Sequence, residues 1–521
     1  MEYSLHPIDY LIVILTLVGS IGVGLRFAKR QSTSSHYFKA GGGLPAWAVG
    51  ISILATLISS ITFLAYPGEG FNGNWIRLVQ GLMVPVVLVF MVGFVVPLFR
   101  ESIGISAYEY FEKRFGFLAR LYTSLAFILA HFSKMGTVFY LIALALARMM
   151  GIDPYVVIWI MGVSIVFLTL KGGLEAVIWL DVIQGLMLIG GGLLVAFILI
   201  FSFPGGPGAL FSTAAAQNKF NMGPYDWDFK NLTFIVMALN GVFYAIQKYG
   251  TDQTIIQRYL ASGTNKEAVR AALTGVLLSV PVWGLFMFIG TALWAYYSAA
   301  PAIPLPDGIK ADEVFPFFIM TKLPIGVSGI ILAALMAAAI SSLDSDMNCL
   351  SAIGVEDYYV RLRPESNDAQ RLKMGKILVG ASGLAAILVA SVYVAMEGKG
   401  VLGIIFTLYA IFSGGIAGLF LLGVFSKRAN KKGAYIGMAA TVLFTAWAIL
   451  TSAKVGADKH ILLDLGNFNF THHKYMLGVY SHVVLIAVGY VASLIYPSEN
   501  AAENLTYWGW RKKKLAGELN D

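Results

Sequence analysis

The chain has 521 residues, of which 58% are hydrophobic and only 13% are charged, whereas a typical soluble protein has roughly 25% charged residues. With a mean hydropathy of +0.73, this composition excludes an assembly of soluble domains and indicates a polytopic membrane protein. The net charge is +8, from 37 Lys and Arg against 29 Asp and Glu, and the single cysteine excludes an internal disulfide and a thiolate metal site.

Thirteen apolar runs in the sequence are long enough to cross a bilayer core of about 30 Å. We expect helices throughout, because lipid offers the backbone no hydrogen-bond partners. Numbered 1 to 13 in chain order, the runs cover residues 8–26, 45–66, 76–99, 117–147, 152–170, 175–203, 232–253, 269–297, 325–353, 375–396, 401–425, 433–452 and 475–496. The first run lacks a basic segment before it and a small-residue cleavage site after it, so we expect a retained span rather than a signal peptide.

The basic residues of the connecting segments are concentrated on one side of the predicted membrane. With the N-terminus outside, most of them fall in cytoplasmic segments, which include RFAKRQSTSSHYFK, QRYLASGTNKEAVR, SKRANKK and the WRKKK of the tail. The positive-inside rule favours this orientation, which also accounts for the net charge without a nucleic-acid partner. We therefore expect a multi-pass protein of the cell membrane, with one transmembrane domain over 1–500 and a cytoplasmic tail over 501–521.

Two runs carry too many polar residues to face lipid along their whole length. Run 2 has Ser59, Ser60 and Thr62 at mid-depth, and run 7 contains the polar stretch NGVFYAIQKYGTDQ. The two runs are five spans apart, so a duplicated unit of five helices would cross the membrane in opposite directions in its two copies. Paired interrupted helices in two inverted halves are the best sequence indication of a transporter site. The predicted parts are a leading helix over 8–26, inverted repeats over about 45–203 and 232–425, and trailing helices over 433–452 and 475–496.

Run 9 holds two carboxylates, Asp344 and Asp346, although a charge at membrane depth costs several kcal/mol unless it is offset. Asp344 lies among small and hydroxyl residues that share one helical face, namely Ala338, Ser341, Ser342 and Ser345. A further carboxylate, Asp181, lies inside run 6. Oxygen ligands of this kind suit a small hard cation, so we expect a monovalent-cation pathway. Two alternatives stay open, in which the serines only permit close helix packing and the two carboxylates of run 9 face cytoplasmic water.

Six motifs resemble those of the sodium:solute symporters, the family that includes the sodium–glucose cotransporters and the bacterial sialic acid and proline transporters. The motifs are ATLISSITF (55–63), SAYEYFEKRF (106–115), GGLEAVIWLDVIQG (172–185), QTIIQRYLAS (253–262), AAAISSLDSDMN (337–348) and GLFLLGVFSKRANKKGAYIG (418–437). The resemblance extends over nearly the whole chain. It implies an all-α, LeuT-like fold with two inverted five-helix repeats, one leading helix and extra trailing helices, which matches the repeat predicted from runs 2 and 7.

The resemblance also implies sodium sites. The main site would lie between runs 2 and 9, with ligands from the backbone carbonyls of Ala55, Ile58 and Ala338 and the hydroxyls of Ser341 and Ser342. A second site, found in some members, would use Asp181, Ser341, Asp344 and Ser345. Many sugar-transporting relatives have a hydroxyl residue at the position of Asp344, so the carboxylate would strengthen the second site or bind a proton. Sodium, with Asp181, would then offset the charge of Asp344, and Asp346 would cap the cytoplasmic half or form a gate contact.

The substrate site is expected beside the interrupted runs. The candidates are Ser59, Ser60, Thr62, Gln80, Lys134, Gln247, Lys248 and Tyr249. By resemblance, Lys134 takes the place of an Asn in sugar transporters and of an Arg in sialic acid transporters, while Lys248 replaces an aromatic residue that closes the sugar site. A buried lysine needs a partner, and a carboxylate substrate would supply one, so we expect an anionic substrate. The alternatives stay open that Lys134 pairs with a protein carboxylate and that Lys248 extends to the cytoplasm.

Together these features predict a sodium-coupled symporter that imports a sugar or a sugar acid of the sialic or uronic type by alternating access, with one or two sodium ions. Alternatives are a neutral monosaccharide, another carboxylate, or a sensor on a transporter scaffold, against which the short tail argues. An enzyme is not expected, because seven scattered histidines and a lone cysteine supply no nucleophile–base pair. We expect a functional monomer in the lipid bilayer. His131 is either a helix-packing residue or part of a proton relay.

Overall fold

Helices make up almost all of the structure, a computed structural model that describes residues 5–27, 31–299, 303–395, 414–455, 460–497 and 503–516. In chain order the helices are α1 (Pro7–Phe27), α2 (Ser34–Lys39), α3 (Ala46–Leu57), α4 (Ser60–Asn72), α5 (Leu78–Ser102), α6 (Glu109–Phe115), α7 (Phe117–Met150), α8 (Pro154–Ser202), α9 (Gly206–Ala216), α10 (Phe234–Gly250), α11 (Gln253–Ala261), α12 (Asn265–Ser298), α13 (Ala311–Lys322), α14 (Val327–Ile353), α15 (Val360–Leu362), α16 (Asp368–Ala395), α17 (Ile416–Phe425), α18 (Lys431–Leu450), α19 (Lys474–Ile495) and α20 (Tyr507–Leu515). Two short strands, β1 (Lys454–Val455) and β2 (His460–Ile461), pair antiparallel between α18 and α19.

The described helices cover most of the predicted spans. Nine of them are long and apolar enough to cross a membrane, and the bent pair of α3 and α4 forms a tenth candidate. Helix α8 has 49 residues and includes both run 5 and run 6, which are separated at Gly173 by a non-helical backbone (φ 57°, ψ −167°). Run 7 corresponds to the 17 residues of α10. Only the end of run 11 is described, as α17, because residues 401–413 lie outside the described part of the chain.

The bundle is apolar on its outside and holds polar side chains at its centre, which is the reverse of a soluble protein. Large apolar side chains such as Val89, Phe90 and Leu186 are exposed along the spans. By contrast, nearly every residue of α14 is buried, including Asp344 and Asp346. Helix α14 packs against α1, α3, α7, α8 and α16, so it lies at the centre of the bundle. Polar residues on α14 therefore face other helices rather than lipid.

Two helix interruptions reach this centre. Helices α3 and α4 meet at an angle of 59°, and Ser59 begins α4 by accepting a hydrogen bond from the Ile61 N–H. Helices α10 and α11 are separated at Thr251 and Asp252, and the Asp252 side chain accepts a hydrogen bond from the Thr254 N–H. Both interruptions were predicted from polar residues, but the second lies at the end of run 7, and α10 is regular up to Gly250.

Helix α12 packs closely against both α3 and α4 because glycines lie at the contacts. A Cβ atom at Gly290 would lie 2.0 Å from the carbonyl oxygen of Pro67, and one at Gly275 would lie 2.8 Å from that of Gly50. Small residues at helix interfaces allow backbones to approach in this way. A single helix, α12, thus packs against both halves of the bent pair.

Candidate functional site

The break between α3 and α4 lies against the middle of α14. Ile58 ends α3 with an extended backbone (φ −102°, ψ 111°), which leaves carbonyls of the last helical turn without partners inside the helix. The Ser341 hydroxyl on α14 lies 3.2 Å from the carbonyl oxygen of Ala55 and 3.2 Å from that of Ala338. Three of the five predicted ligands of the main sodium site therefore meet at one point.

The two remaining predicted ligands of this site are Ile58, at the break itself, and Ser342, next to Ser341; both are fully buried. The Ser342 hydroxyl has no hydrogen-bond partner among the described residues. An unsatisfied buried polar group costs about 1–3 kcal/mol. A hydroxyl in this position therefore suits cation binding better than it suits fold stability.

A second polar cluster lies further along α14 and is organised by an arginine. The Arg258 guanidinium on α11 is fully buried, and its Nη2 lies 2.7 Å from Asp181 Oδ2 on α8. Ser52 on α3 contacts both residues, with its Oγ 2.5 Å from Asp181 Oδ2 and 2.7 Å from Arg258 Nε. Arg258 Nη2 also donates to Ser345 Oγ at 2.8 Å. Helices α3, α8, α11 and α14 thus meet through one guanidinium group.

Asp344 lies at the edge of this cluster, with its Oδ1 3.5 Å from the Ser345 hydroxyl. Asp344 Oδ2 and Asp181 Oδ1 are buried and have no hydrogen-bond partner in the part of the chain that the structure describes. Two carboxylates and one guanidinium leave one negative charge, and buried charge is stable only when it is paired. A sodium ion held by these oxygens, or a proton on Asp344, would neutralise the cluster.

Arg258 corrects the expectation that sodium and Asp181 together offset the charge of Asp344. The charge of Asp181 is itself paired with Arg258, so it acts as part of an ion pair. Sequence reasoning does not select Arg258, because the motif QTIIQRYLAS falls in a segment predicted to face the cytoplasm. The available signal is one arginine in a short amphipathic helix that directly follows an interruption, and all nine residues of that helix, α11, are buried.

A chain of five charged or titratable side chains links α7, α14 and the α10–α11 junction. Lys134 Nζ lies 3.1 Å from Asp346 Oδ1 and 3.0 Å from Asp346 Oδ2. His131 Nδ1 lies 2.7 Å from Asp346 Oδ1, and its Nε2 lies 3.6 Å from Asp252 Oδ2. Lys248 Nζ lies 2.6 Å from Asp252 Oδ2. Lys134 therefore has a protein carboxylate as partner, which is the alternative that the sequence left open, and Asp346 joins two helices and caps neither.

A central cavity of about 430 Å³ lies beside the α3–α4 break. Sites for small molecules typically have about 300–1,000 Å³. Three predicted substrate residues, Lys134, Gln247 and Lys248, line this cavity. Its other lining residues are Thr56, Leu57, Ile61, Ala130, His131, Ser133, Thr137, Tyr244 and Asp252.

The other five predicted substrate residues do not line the central cavity. Ser59 caps α4, and Ser60 and Thr62 are buried in its first turn. Gln80 lies where α5 contacts α10. Tyr249 is buried, and its hydroxyl has no hydrogen-bond partner among the described residues. Their role in binding a substrate stays a prediction.

Two further cavities lie on either side of the central one, and all three follow α7. A cavity of about 370 Å³ is lined by Leu64 and Leu141, about one turn beyond the Ile61 and Thr137 of the central cavity. It extends to Arg148 at the end of α7. At the opposite end lies a small cavity of about 60 Å³.

The small cavity shares part of its wall with the central one. His131, Gln247 and Asp252 line both of them. Tyr108 and Phe127 line only the small cavity. The contact between α7 and the α10–α11 junction therefore borders both spaces, and all three cavities are lined in part by α7.

Residues 37–440 match the model of the sodium:solute symporter family. The chain belongs to this family. The sodium/sialic acid symporter SiaT of Proteus mirabilis (strain HI4320) is 36% identical over 453 residues, which cover 87% of this chain and 90% of SiaT. The sodium/sialic acid symporter NanT of Aliivibrio fischeri (strain ATCC 700601 / ES114) is 31% identical over 513 residues and 98% of each chain. The sodium/glucose cotransporter of Vibrio parahaemolyticus is 31% identical over 85% of each chain.

Solved structures place this member of the sodium:solute symporter family among transporters of one fold. A Na⁺-coupled sialic acid symporter in a substrate-bound, outward-open state has a TM-score of 0.86 at 32% identity and covers 94% of this chain and 98% of its own. Mhp1, a nucleobase-cation-symport-1 family transporter, has a TM-score of 0.58 at 16% identity, over 91% of this chain, so its likeness concerns the fold alone. These relatives are transporters, and the predicted family and the predicted helical membrane fold are confirmed.

Proposed function

We propose that the protein is a sodium-coupled symporter of the cell membrane that imports a sugar bearing a carboxylate, of the sialic acid type. The observation that carries the proposal is Lys134 on the wall of the central cavity, with its side chain 25% exposed. A lysine ammonium has three donor hydrogens. Asp346 occupies at most two of them, so one donor and part of the positive charge stay accessible to a carboxylate in the cavity.

The relatives support an acidic sugar as the substrate. SiaT and NanT are sialic acid symporters by name, and this chain aligns with 90% of the first and 98% of the second. Sialic acids combine a carboxylate with many hydroxyl groups. The central cavity offers both a cation for the carboxylate and polar partners for hydroxyls, among them Thr56, Thr137 and Gln247.

Sodium would be bound outside this cavity, along α14. The main site would use the carbonyls of Ala55, Ile58 and Ala338 with the hydroxyls of Ser341 and Ser342, and the grouping of Ser341 with two of those carbonyls supports it. The second site would use unpaired oxygens of Asp181 and Asp344. Each sodium ion entering the cell gains about 2.3 kcal/mol per 100 mV. Two ions with one anionic sugar would move one net positive charge inward.

We infer thirteen spans in a five-plus-five inverted repeat. To the ten candidate spans this adds the division of α8 at Gly173, the α10 helix, and the segment that ends with α17. The matched interruptions, α3–α4 in the first repeat and α10–α11 in the second, support the symmetry. The domain boundaries predicted above, a functional monomer and a cytoplasmic tail belong to the same proposal.

Transport would follow alternating access along α7. With the N-terminus outside, α7 runs outward, so the cavity of about 370 Å³ faces the exterior and the cavity of about 60 Å³ faces the cytoplasm. Arg148 and Glu313 form an ion pair between α7 and α13 at the outer end. Sodium binding at the α3–α4 break would order the wall of the central cavity, and rocking of the repeats would then open the inner side.

A neutral monosaccharide is the second candidate substrate, and one observation favours it. Both lysines of the central cavity have carboxylate partners, Asp346 for Lys134 and Asp252 for Lys248, so neither depends on a substrate anion for its stability. The likeness to a sodium/glucose cotransporter is in line with this alternative.

Reconstituted liposomes distinguish these substrates. We would measure uptake of labelled N-acetylneuraminic acid, glucuronate and glucose under inward sodium or inward potassium gradients. Accumulation of an acid with sodium but not with potassium is the expected result. Accumulation of glucose alone would keep the symporter and assign the lysines to gating, and the absence of sodium-driven uptake of all three would contradict the proposal.

A further inference from the structure

His131 on α7 lies between two carboxylates from different helices. Its Nδ1 is 2.7 Å from Asp346 Oδ1 on α14, and its Nε2 is 3.6 Å from Asp252 Oδ2 at the α10–α11 junction. The side chain is only 7% exposed, and the ring stacks on Phe127 with 3.7 Å between centroids. The ring is therefore held in one orientation, with a carboxylate at each nitrogen.

One protonation state of the imidazole suits both neighbouring carboxylates. A neutral imidazole has a single N–H, and its other nitrogen presents a lone pair. In either tautomer that lone pair would point towards a carboxylate, which also carries only acceptor oxygens. Only the imidazolium form presents an N–H group to both Asp346 and Asp252.

The surrounding charges permit this state. On α7 the nearest cation is Lys134, and at the α10–α11 junction it is Lys248; each contacts one of the same two carboxylates. Tyr108 lines the small cavity beside the ring, and Cys349 on α14 donates to Gln257. The positive charges of the two lysines equal the negative charges of the two carboxylates. A proton on the imidazole therefore adds one positive charge, and this charge lies directly between the two carboxylates.

The position of His131 gives this proton a role in transport. His131 and Asp252 line both the central cavity and the small cavity on its proposed cytoplasmic side. Their contact, which we name the inner gate, joins α7 to the interrupted helix pair. Opening the central cavity towards the cytoplasm requires these two side chains to separate.

We propose that His131 binds a proton while the inner gate is closed and releases it when the gate opens, so that cytoplasmic acidity restrains substrate release. This inference rests on the proposed function, because it assigns a side of the membrane to each cavity. On opening, Nε2 loses its carboxylate partner and its proton passes to water on the cytoplasmic side. On closing, the proton returns from the same side, so no net proton crosses the membrane.

Equilibrium exchange of labelled N-acetylneuraminic acid in proteoliposomes tests the gate. Sodium, sugar and pH are equal on both sides, and the pH is varied between about 6 and 8.5, where a carboxylate substrate stays ionised. We expect the exchange rate of the wild type to fall with acidity by about tenfold per pH unit at the steepest, the limit for one linked proton. His131→Gln should remove this dependence.

Two variants sharpen the exchange measurement. Asp252→Asn can still cap α11 but removes one carboxylate from the ring, so the acid limb should move to lower pH. His482→Gln alters another buried histidine, one that accepts from the Gly418 N–H and stacks on Phe243, and it should keep the wild-type profile. A flat wild-type profile, or an unchanged acid limb in His131→Gln, would overturn the proposal.

A second measurement needs no transported sugar, so it stands apart from the proposed function. The protein has seven histidines, and their ring nitrogens can be labelled with ¹⁵N. At a pH of about 8, where free imidazole is neutral, we expect one imidazolium signal that disappears in His131→Gln and persists in His482→Gln. Absence of that signal, or its persistence in His131→Gln, would contradict the proton site even if transport is found.

Discussion

At the scale of single residues, the negative charge of Asp344 has less compensation from neighbouring groups than the other buried charges described above. Its Oδ2 is buried without a hydrogen-bond partner among the described residues, while the nearby Asp181 is paired with Arg258. We expect Asp344→Asn to weaken sodium binding at least about tenfold, or about 1.4 kcal/mol, and to lower the Hill coefficient for sodium towards one. Sodium titration of transport by the purified, reconstituted protein measures both quantities.

A serine of the same helix provides the control for this prediction. Ser351 on α14 is buried and donates to the Gly375 carbonyl at 2.6 Å, away from the carboxylate cluster. Ser351→Ala should leave the sodium affinity and the Hill coefficient at their wild-type values. An Asp344→Asn protein with unchanged sodium dependence would rule out the second sodium site.

Lys134 carries the second residue-scale prediction, which concerns the substrate. Replacing it with Gln removes the positive charge that we assign to the substrate carboxylate, and hydrogen bonds to charged groups contribute about 1.5–3 kcal/mol. We expect Lys134→Gln to raise the KM for N-acetylneuraminic acid by roughly 10- to 100-fold. Uptake rates over a range of sugar concentrations give this KM.

The conservative variant separates charge from packing at this position. Lys134→Arg and Lys134→Gln both change the shape of the side chain, but only Lys134→Arg keeps a positive charge beside Asp346. Lys134→Arg should therefore retain most of the affinity for the acid. Equal losses in the two variants, or intact transport of the acid by Lys134→Gln, would contradict substrate binding by Lys134 and leave it only its ion pair with Asp346.

The charged residues of the candidate site could be selected from the sequence, but the side chains that pair with them could not. Polar residues are conspicuous in apolar runs, so Asp181, Asp344 and Lys134 stand out without a structure. Arg258 lies 77 positions from its partner Asp181, in a segment rich in polar residues, where an arginine is unremarkable. Pairing is decided by which helices meet around α14, and no local pattern encodes that.

At the scale of helices, the interruptions were more predictable than their exact places. Polar residues identified run 2 and run 7, because a broken helix must satisfy its free backbone groups inside the protein. In α3–α4 the break falls at Ile58, next to the predicted serines. In the second pair the break falls at Thr251, beyond Asn240 and Gln247. Asn240, which donates to the Tyr475 carbonyl, and Gln247, which lines the central cavity, both lie within the regular helix α10.

Glycine packing on α12 gives the prediction at this scale. A methyl group at Gly290 would lie 2.0 Å from the Pro67 carbonyl oxygen of α4, so the two backbones would have to separate. Overpacking of this kind costs about 1–3 kcal/mol. We expect Gly290→Ala to lower the Tm of the full-length protein in detergent and to reduce transport, because α4 belongs to the bent pair at the proposed sodium site.

Gly284 on the same helix is the matched control. Nothing lies within 4 Å of a Cβ atom at this position. Gly284→Ala should leave the Tm unchanged or raise it slightly, because Ala has a higher helix propensity than Gly by about 1 kcal/mol. Similar Tm values for the two alanine variants would show that close contact with α4 is not needed for stability.

At the scale of the whole molecule, the class and family followed from composition and motifs, since long apolar runs permit little besides a helical membrane bundle. The number of spans was harder to obtain. The 49 residues of α8 form one continuous helix apart from Gly173, so its two spans are hard to tell apart. Helix α10 has only 17 residues, and it is not among the helices that are long and apolar enough to cross a membrane. Orientation depends on the charge bias of the connecting segments.

That orientation is testable with two exposed residues at opposite ends of the bundle. Phe468, between α18 and α19, is 77% exposed, and Leu515, at the end of α20, is 80% exposed. The single native cysteine, Cys349, is fully buried, so we expect little maleimide labelling of the protein without an introduced cysteine. In intact cells, a membrane-impermeant maleimide should label Phe468→Cys but not Leu515→Cys, and permeabilisation should expose the latter.

The wild type serves as the control for labelling of Cys349 under both conditions. The expected pattern follows from the basic residues of α20, Arg511 to Lys514, which the positive-inside rule assigns to the cytoplasm. Labelling of Leu515→Cys from outside would show that the protein has the opposite orientation in the membrane. The cavity of about 370 Å³ would then face the cytoplasm, and the gate at His131 would become the outer one, so acidity outside the cell rather than inside would restrain the exchange of substrate.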